Sequence, residues 1–253
     1  MPEPRPVALV TGASRSIGIG AAVARTLAAA GWDVATTYWR PYDERMAWGS
    51  TGHDATDIGE ELGALGARTV GIEADLADPT VPHTVVGGAA AALGAVRALV
   101  MCHCESVDGD LLDTRVDSFD RHMAVNARAS WLLVRAFAQQ FTDPPGSGRI
   151  VALTSDHTVG NTAYGASKGA MDRIVLAAAT ELAGRGITAN VVDPGPTDTG
   201  WMTDELRTGV VAATARGRVG RPEDAARIVG FLCSADGGWV NGQLIRSDGG
   251  FAR

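Results

Sequence analysis

The chain has 253 residues and a formal net charge of −7, with 45% hydrophobic and 20% charged residues. The acidic balance argues against nucleic acid or an anionic membrane surface as the main partner, and no apolar run approaches the ~20 residues of a membrane-spanning helix. Residues 1–6 lack the apolar stretch of a signal peptide, so we expect a cytoplasmic protein that is not bound to a membrane.

Short apolar runs alternate with helical patterns along the whole chain. The patterns predict strands at 7–10, 34–37, 70–74, 97–102, 149–153, 187–192 and 244–246. They predict helices at 17–30, 58–65, 84–93, 116–141, 163–183 and 222–232, and loops at 40–56 and 194–213. The strands are apolar without strict alternation, which is typical of a parallel sheet covered on both faces. We therefore expect one α/β domain over residues 1–253, with a Rossmann-type, doubly wound, mostly parallel seven-stranded sheet and helices on both faces.

A glycine-rich turn, with the sequence TGASRSIGIG over residues 11–20, joins the first predicted strand to the first predicted helix. Glycines let the backbone approach a pyrophosphate, and a helix N-terminus supplies N–H donors at the positive end of its dipole. The position of this turn in a strand–helix–strand unit indicates a dinucleotide site.

The charges after the second strand bear on the choice of cofactor. An acidic side chain there would pair with the 2′-hydroxyl of NAD(H) and repel the 2′-phosphate of NADP(H). The strand ends in the sequence TYWR over residues 37–40, which contains no acid. Arg15 and Arg40 could flank a 2′-phosphate, or both could be solvated surface arginines. We expect NADP(H) in preference to NAD(H).

Tyr164 and Lys168 are the strongest catalytic candidates. They lie four residues apart in a predicted helix, so both can face one pocket. Lys168 is the only lysine, since the other basic residues are all arginine, and Tyr164 is one of three tyrosines. Lysine is a compact point charge, unlike the planar guanidinium of arginine. A nearby ammonium favours phenolate and moves a phenol toward useful acid–base chemistry.

These motifs resemble those of the short-chain dehydrogenase/reductase family, including its 3-oxoacyl reductase-like members. The family pattern T-G-x-x-x-G-x-G maps onto Thr11, Gly12, position 16 and Gly18, with Ser16 in place of a glycine, and Y-x-x-x-K maps onto Tyr164 and Lys168. The resemblance runs from about residue 7 to residue 251. It implies interconversion of a small-molecule carbonyl and an alcohol by hydride transfer.

The resemblance also implies roles for further residues. Ser155 would orient the substrate carbonyl, with Thr154 and Thr158 as alternatives, and Asn126 would hold a water that connects to Lys168. The residues implied at the cofactor are Gly12, Ser14, Arg15, Ser16, Ile17, Gly18, Arg40, Asp75, Leu76, Tyr164, Lys168, Pro194, Gly195, Thr197 and Thr199. Asp75 matches an adenine-contacting aspartate, although a helix or turn cap explains its position equally well.

Two segments depart from the family pattern, and a third is longer than a typical strand-to-helix connection. Residues 101–104 read MCHC where the family has N-N-A-G, and we interpret His103 as structural and not catalytic. Cys102, Cys104 and Cys233 give neither a disulfide framework nor a zinc set, so we expect reduced thiols and no metal. The segment between Ser155 and Tyr164 is shortened, which alters one wall of the substrate pocket. Residues 40–56 form a long, aromatic connection.

That connection can be a packed flap near the adenosine end, a subunit contact or a self-packed surface loop. The resemblance implies a homotetramer or homodimer. The departures at Ser16, at residues 101–104 and before Tyr164 leave a second hypothesis open, namely a dinucleotide-binding sensor or scaffold with little or no turnover. The pair Tyr164 and Lys168 argues against it, because a binding protein does not need an aligned proton donor.

Overall fold

The computed structural model describes residues 4–142 and 146–252, so Pro144 and Pro145, which follow the predicted helix 116–141, lie outside the described residues. Seven strands form one sheet in the order β3-β2-β1-β4-β5-β6-β7, and every described pairing is parallel. The strands are β1 (Val7–Thr11), β2 (Asp33–Tyr38), β3 (Thr69–Glu73), β4 (Val96–Met101), β5 (Gly148–Leu153), β6 (Ile187–Asp193) and β7 (Leu244–Arg246).

Helices cover both faces of the sheet. They are α1 (Ile19–Ala29), α2 (Arg40–Arg45), α3 (Asp54–Ala64), α4 (Val81–Leu93), α5 (Val116–His122), α6 (Ala129–Gln140), α7 (Thr162–Glu181), α8 (Asp204–Ala213) and α9 (Pro222–Cys233). Apolar residues of α4, α6 and α7 fill the core on one face, and those of α1, α3 and α9 fill the core on the other. Burial on two faces explains the apolar strands, so the predicted doubly wound fold is confirmed.

Two predicted elements need correction. The segment 194–213, predicted as loop, contains α8, whose Thr203 side chain accepts a hydrogen bond from the Leu206 N–H, with Asp204 and Glu205 in the first turn. Those are ordinary helix-start signals, and the helix is mostly exposed, with Val210 as its buried residue. The segment predicted as irregular before residue 58 likewise contains α2 and the start of α3.

The predicted long helix over residues 116–141 is continuous but is not uniformly α-helical. A π-helical turn, Met123–Arg128, joins α5 to α6 and contains the buried Asn126. Such single π-helical turns within α-helices are frequent at functional sites. The sequence pattern could not distinguish this turn from an α-helix.

The strand order reverses between β1 and β4, which are neighbours in the sheet. In open parallel sheets, ligands bind outside the carboxyl ends of the strands at this point. The glycine-rich turn follows β1 and the MCHC segment ends β4. The fold therefore brings both segments to one edge, together with the residues that follow β5 and β6.

Gly20 provides a test of how tightly α1 is seated on the glycine-rich turn. A Cβ at Gly20 would lie 2.4 Å from the Gly12 carbonyl oxygen. We expect Gly20→Ala to lower the free energy of unfolding by about 1–3 kcal/mol. The matched control is Gly87→Ala in α4, where nothing lies within 4 Å of the added Cβ; it should raise stability by up to ~1 kcal/mol. Chemical denaturation measures both, and equal effects would contradict the packing argument.

Candidate active site and cofactor groove

Tyr164 and Lys168 lie in the first two turns of α7, at the carboxyl end of β5. Lys168 is only 2% exposed, and its Nζ donates a hydrogen bond to the Leu153 carbonyl at 2.8 Å. The same Nζ lies 5.8 Å from the centroid of the Tyr164 ring. The structure therefore brings together the two residues that the sequence pairs.

Burial sets the protonation behaviour of this pair. Desolvation raises the pKa of the Tyr164 phenol, and a hydrogen bond with Ser155 acts in the opposite direction. Desolvation also lowers the pKa of the Lys168 ammonium. The phenol consequently keeps its proton near neutral pH, which suits a group that donates a proton to a developing alkoxide.

Ser155 lies two residues beyond β5, and the strand end fixes its position beside Tyr164. Its Oγ also accepts a hydrogen bond from the His157 N–H at 3.1 Å. The alternative Thr158 is turned to its own segment and donates to the Asp156 carbonyl. Of the hydroxyls predicted by the sequence, the structure thus joins Ser155 to the tyrosine.

The shortened segment before Tyr164 is exposed over residues 156–160. It is anchored by Asn161, whose Nδ2 donates to Ser106 Oγ at 3.1 Å and to Asp108 Oδ1 at 2.9 Å. Gly109 and Asn161 also form a parallel bridge. The loop after β4 therefore supports the short segment that lies beside the catalytic candidates.

Asn126 joins the loop after β4 to α7. Its Oδ1 accepts from the Glu105 N–H at 2.7 Å, and its Nδ2 donates to the Glu105 carbonyl at 2.9 Å and to Ser167 Oγ at 2.8 Å. Ser167 precedes Lys168 in α7. These contacts place Asn126 next to the lysine, and its partners in the structure are a backbone segment and a serine.

His103 is a buried structural residue, as expected from the sequence. Its Nδ1 lies 2.6 Å from Thr11 Oγ1, and its Nε2 lies 3.1 Å from the Val125 carbonyl. Burial lowers its pKa to about 3. The neutral imidazole links β1 to the π-helical turn, beneath the site.

Two further side chains lie near Lys168. Burial raises the pKa of the Cys104 thiol, so this neighbour is uncharged near neutral pH. Asp172 follows Lys168 by four residues in α7. Its carboxyl faces the buried Thr154 hydroxyl, and desolvation raises the pKa of that carboxyl while Thr154 and Lys168 act in the opposite direction. The spacing from Tyr164 to Lys168 to Asp172, four and four, is the signal that could have found Asp172.

The glycine-rich turn fits a bound dinucleotide. Gly12 has φ 75°, and a Cβ there would lie 2.5 Å from the His103 backbone nitrogen, so the turn packs directly on the segment after β4. Helix α1 begins after Gly18. Among the described residues, no side chain caps its N-terminus, and its first turn contains no acid. Free N–H groups and the helix dipole at such an end favour a phosphate.

The predicted contact residues of this turn have partners within the protein. Ser14 Oγ accepts a hydrogen bond from the Trp39 N–H at 3.2 Å. The Arg15 guanidinium stacks over Trp48 at 4.4 Å from the ring centroid and donates to the Thr199 carbonyl at 2.8 Å. Ile17 is 57% exposed at the start of the helix. The turn is thus ordered by contacts with backbone and side-chain groups of two other loops.

Arg40 and Asp75 have protein partners as well. Arg40 forms a two-pronged ion pair with Glu73 at the end of β3, with distances of 3.0 and 2.5 Å. Asp75 accepts from the Ala77 N–H at 3.0 Å and from Arg121 at 3.3 Å, which is the turn-capping geometry anticipated from its position. Leu76 is buried beside it, 5% exposed.

The loop after β6 packs against the glycine-rich turn. Gly195 has φ 61° and donates its N–H to Asp193 Oδ1 at 3.0 Å. Thr197 is buried, and its hydroxyl donates to the carbonyls of Pro194 and Gly195. Through the Thr199 carbonyl the loop holds Arg15. Pro194, Gly195, Thr197 and Thr199 therefore share one edge with the glycine-rich turn.

No group of three or more His, Cys, Asp or Glu side chains among the described residues could hold a metal ion. The three cysteines are free. None of the described helices has the length and apolar character needed to cross a membrane.

The buried, neutral His103 predicts a pH dependence of stability. Its folded-state pKa of about 3 lies below the ordinary 6.5, so the unfolded chain binds more protons between these values. Stability should therefore fall as pH decreases below about 6.5, by up to ~1.4 kcal/mol per pH unit from this residue. We expect His103→Gln to flatten the pH profile of the unfolding free energy, and His83→Gln, on the exposed surface of α4, to leave it unchanged. Identical profiles for wild type and His103→Gln would contradict this.

Comparison with known proteins gives a family. A family profile described as "Enoyl-(Acyl carrier protein) reductase" matches residues 12–252. The chain is 36% identical to the uncharacterized oxidoreductase YjdA of Bacillus subtilis (98% of this chain, 97% of the relative). It is 35% identical to an NADPH-dependent aldehyde reductase-like chloroplastic protein of Arabidopsis thaliana (97% and 93%).

Among solved structures, a blue fluorescent protein from a metagenomic library, in complex with NADPH, superposes with a TM-score of 0.87. It is 36% identical in sequence, and the match covers 99% of both chains. Sequence, family profile and fold agree over nearly the whole length, and the chain belongs to the short-chain dehydrogenase/reductase family.

Proposed function

We propose that this protein is an NADP(H)-dependent oxidoreductase that interconverts a carbonyl and an alcohol by hydride transfer. The observation that carries the proposal is the cluster of Tyr164, Ser155 and Lys168 at the sheet edge that also carries the glycine-rich turn. A proton donor next to a dinucleotide site is what carbonyl reduction requires.

The cofactor is NADP(H). An Arabidopsis relative is named NADPH-dependent and a structural relative contains NADPH, and the uncapped N-terminus of α1 favours a phosphate. When bound, the cofactor supplies or accepts the hydride. The residues that would hold it are those of the glycine-rich turn, the ends of β2 and β3, the loop after β6, and Tyr164 with Lys168.

The chain's own residues handle the proton and the substrate oxygen. Ser155 donates a hydrogen bond to the carbonyl oxygen and orients it toward Tyr164. Tyr164 passes its phenolic proton to that oxygen in reduction and takes it back in oxidation. Lys168 stabilises the phenolate that remains. Asn126 fixes the segment before Lys168 through Ser167.

A ketone or 3-oxoacyl group is the substrate class implied by the family resemblance. The fold alone does not select a substrate. The exposed segment at residues 156–160, supported by Asn161, distinguishes the pocket wall of this chain. We therefore assign the reaction and its proton donor, and turnover with a set of carbonyl compounds identifies the substrate. The single domain, the homotetramer or homodimer and the cytoplasmic location remain predictions.

A dinucleotide-binding sensor with little or no turnover is the second candidate. It is favoured by the Ser16 N–H and hydroxyl, which both donate to the Asp54 carboxylate and are thereby engaged within the protein. Tight NADPH binding without oxidation by any carbonyl would support it.

Tyr164→Phe tests the proposed proton donor. The variant keeps the ring but lacks the hydroxyl, so we expect NADPH oxidation with a panel of ketones, aldehydes and 3-oxoacyl thioesters to fall by about 10²–10⁴-fold. The dissociation constant for NADPH is measured in the same variant, and a loss of turnover much larger than any loss of NADPH binding assigns the defect to proton donation. Full turnover in Tyr164→Phe would exclude the proposed mechanism.

Arg15→Leu tests the choice of cofactor. If Arg15 meets the 2′-phosphate, its loss should weaken NADPH binding by about tenfold and NADH binding far less, since a charge-assisted bond to phosphate is removed. Titration of cofactor fluorescence measures both. The exposed Arg227 of α9 supplies the control Arg227→Leu. Equal weakening of both cofactors, or tighter NADH than NADPH binding in the wild type, would reject this assignment.

A further inference from the structure

The long connection between β2 and α3 contacts the glycine-rich turn and the loop after β4, the two segments that we take as the sides of the cofactor groove. We call residues 39–54 the strap; they comprise α2, the loop that follows it and the first residue of α3. Tyr42 donates its hydroxyl to the Ser106 carbonyl at 3.3 Å, and Arg45 forms an ion pair with the buried Glu105. The strap thus contacts the loop after β4 on one side of the groove.

The strap also contacts the glycine-rich turn on the other side, through two carboxylates. Asp43 is 4% exposed, and its Oδ1 lies 3.7 Å from Arg15 Nε and accepts a hydrogen bond from Trp48 Nε1 at 3.0 Å. Asp54 Oδ1 accepts from both the N–H and the hydroxyl of Ser16, at 2.8 and 2.7 Å. Each carboxylate therefore binds donors of the turn.

These donors are of the kind that a dinucleotide needs. Carboxylate and phosphate oxygens compete for the same guanidinium and N–H groups. A 2′-phosphate that approaches Arg15 meets the Asp43 carboxylate already within ion-pair distance. Two acidic side chains of the strap contact adjacent residues of the phosphate-binding turn. The strap is therefore more than a self-packed surface loop.

We propose that Asp43 and Asp54 compete with the phosphates of the cofactor for the glycine-rich turn, and that Asp43 thereby tunes selectivity between NADP(H) and NAD(H). The inference rests on the cofactor site proposed above. Binding exchanges carboxylate for phosphate and loosens the strap. Only NADP(H) carries the 2′-phosphate that requires Arg15, so Asp43 acts on that cofactor alone, whereas Asp54 opposes the pyrophosphate that both cofactors share.

The side chains around Asp43 allow a clean substitution. Asparagine keeps the oxygen that accepts from Trp48 and removes the charge that faces Arg15. Arg15 stays in place through its stacking on Trp48 and its bond to the Thr199 carbonyl. Glu44, the next residue of α2, is exposed, so Glu44→Gln removes the same charge without a contact to the turn.

The first experiment is fluorescence titration of the full chain with NADPH and with NADH. We expect Asp43→Asn to bind NADPH about fivefold more tightly and to change NADH by less than about twofold, as for loss of a part-buried competing ion pair. Glu44→Gln should match the wild type. The assignment of Asp43 would be overturned if Asp43→Asn bound NADPH no more tightly than Glu44→Gln. It would also be overturned if the substitution weakened NADPH binding or changed the binding of both cofactors equally.

Asp54→Asn provides the second, independent variant. It should tighten the binding of NADPH and of NADH to a similar degree. The control is Asp57→Asn, at an exposed position three residues further along α3, which should leave the binding of both cofactors unchanged. If Asp54→Asn weakens both cofactors, the carboxylate orders the turn for binding and the competition proposal fails for that residue.

Hydrogen–deuterium exchange of the wild type reads the strap directly. We expect NADPH to speed exchange of the backbone amides in residues 40–54. Slowed or unchanged exchange there would overturn the proposal that the cofactor displaces the strap carboxylates from the glycine-rich turn. Absence of NADPH binding by the wild type would overturn the proposed function together with this inference. Binding with Asp43→Asn equal to Glu44→Gln would overturn the assignment of Asp43 while the proposed function stands.

Discussion

The burial of one ammonium group is the constraint around which the site is arranged. A charge at Lys168, 2% exposed, is costly unless nearby groups compensate it. The Leu153 carbonyl at the end of β5 accepts one hydrogen bond, and the face of the Tyr164 ring and the Asp172 carboxyl add favourable charge. The start of α7 must therefore sit against the end of β5, and that placement brings Ser155 to the tyrosine.

A second set of buried polar contacts holds the surrounding loops in register. His103 links Thr11 at the end of β1 to Val125 in the π-helical turn, and Asn126 in the same turn holds both backbone groups of Glu105. The polar atoms of these side chains make hydrogen bonds within the protein, so they favour one arrangement of the loops at this edge of the sheet. The MCHC segment, although it lacks the asparagines of the family pattern, keeps this structural task.

The strap places a helix and two acidic side chains at the cofactor edge, outside the seven-stranded sheet. Its residues reach this edge from the end of β2. Asp43 and Asp54 bring negative charge to a turn whose helix end favours anions. The same edge thus contains both the features that attract a phosphate and the carboxylates that oppose it.

The sequence by itself determined the doubly wound fold, because the alternation of apolar strands with helices leaves few other topologies, and it determined the pairing of Tyr164 with Lys168, because helical spacing is local. Helices α2 and α8 were predicted as loop, because both are short and mostly exposed and each buries a single residue. Only the tertiary structure placed Asp54 on Ser16, 38 residues away, and Asp43 beside Arg15. Such contacts join loops that follow different strands and lie far apart in the chain, so a local sequence pattern does not predict them.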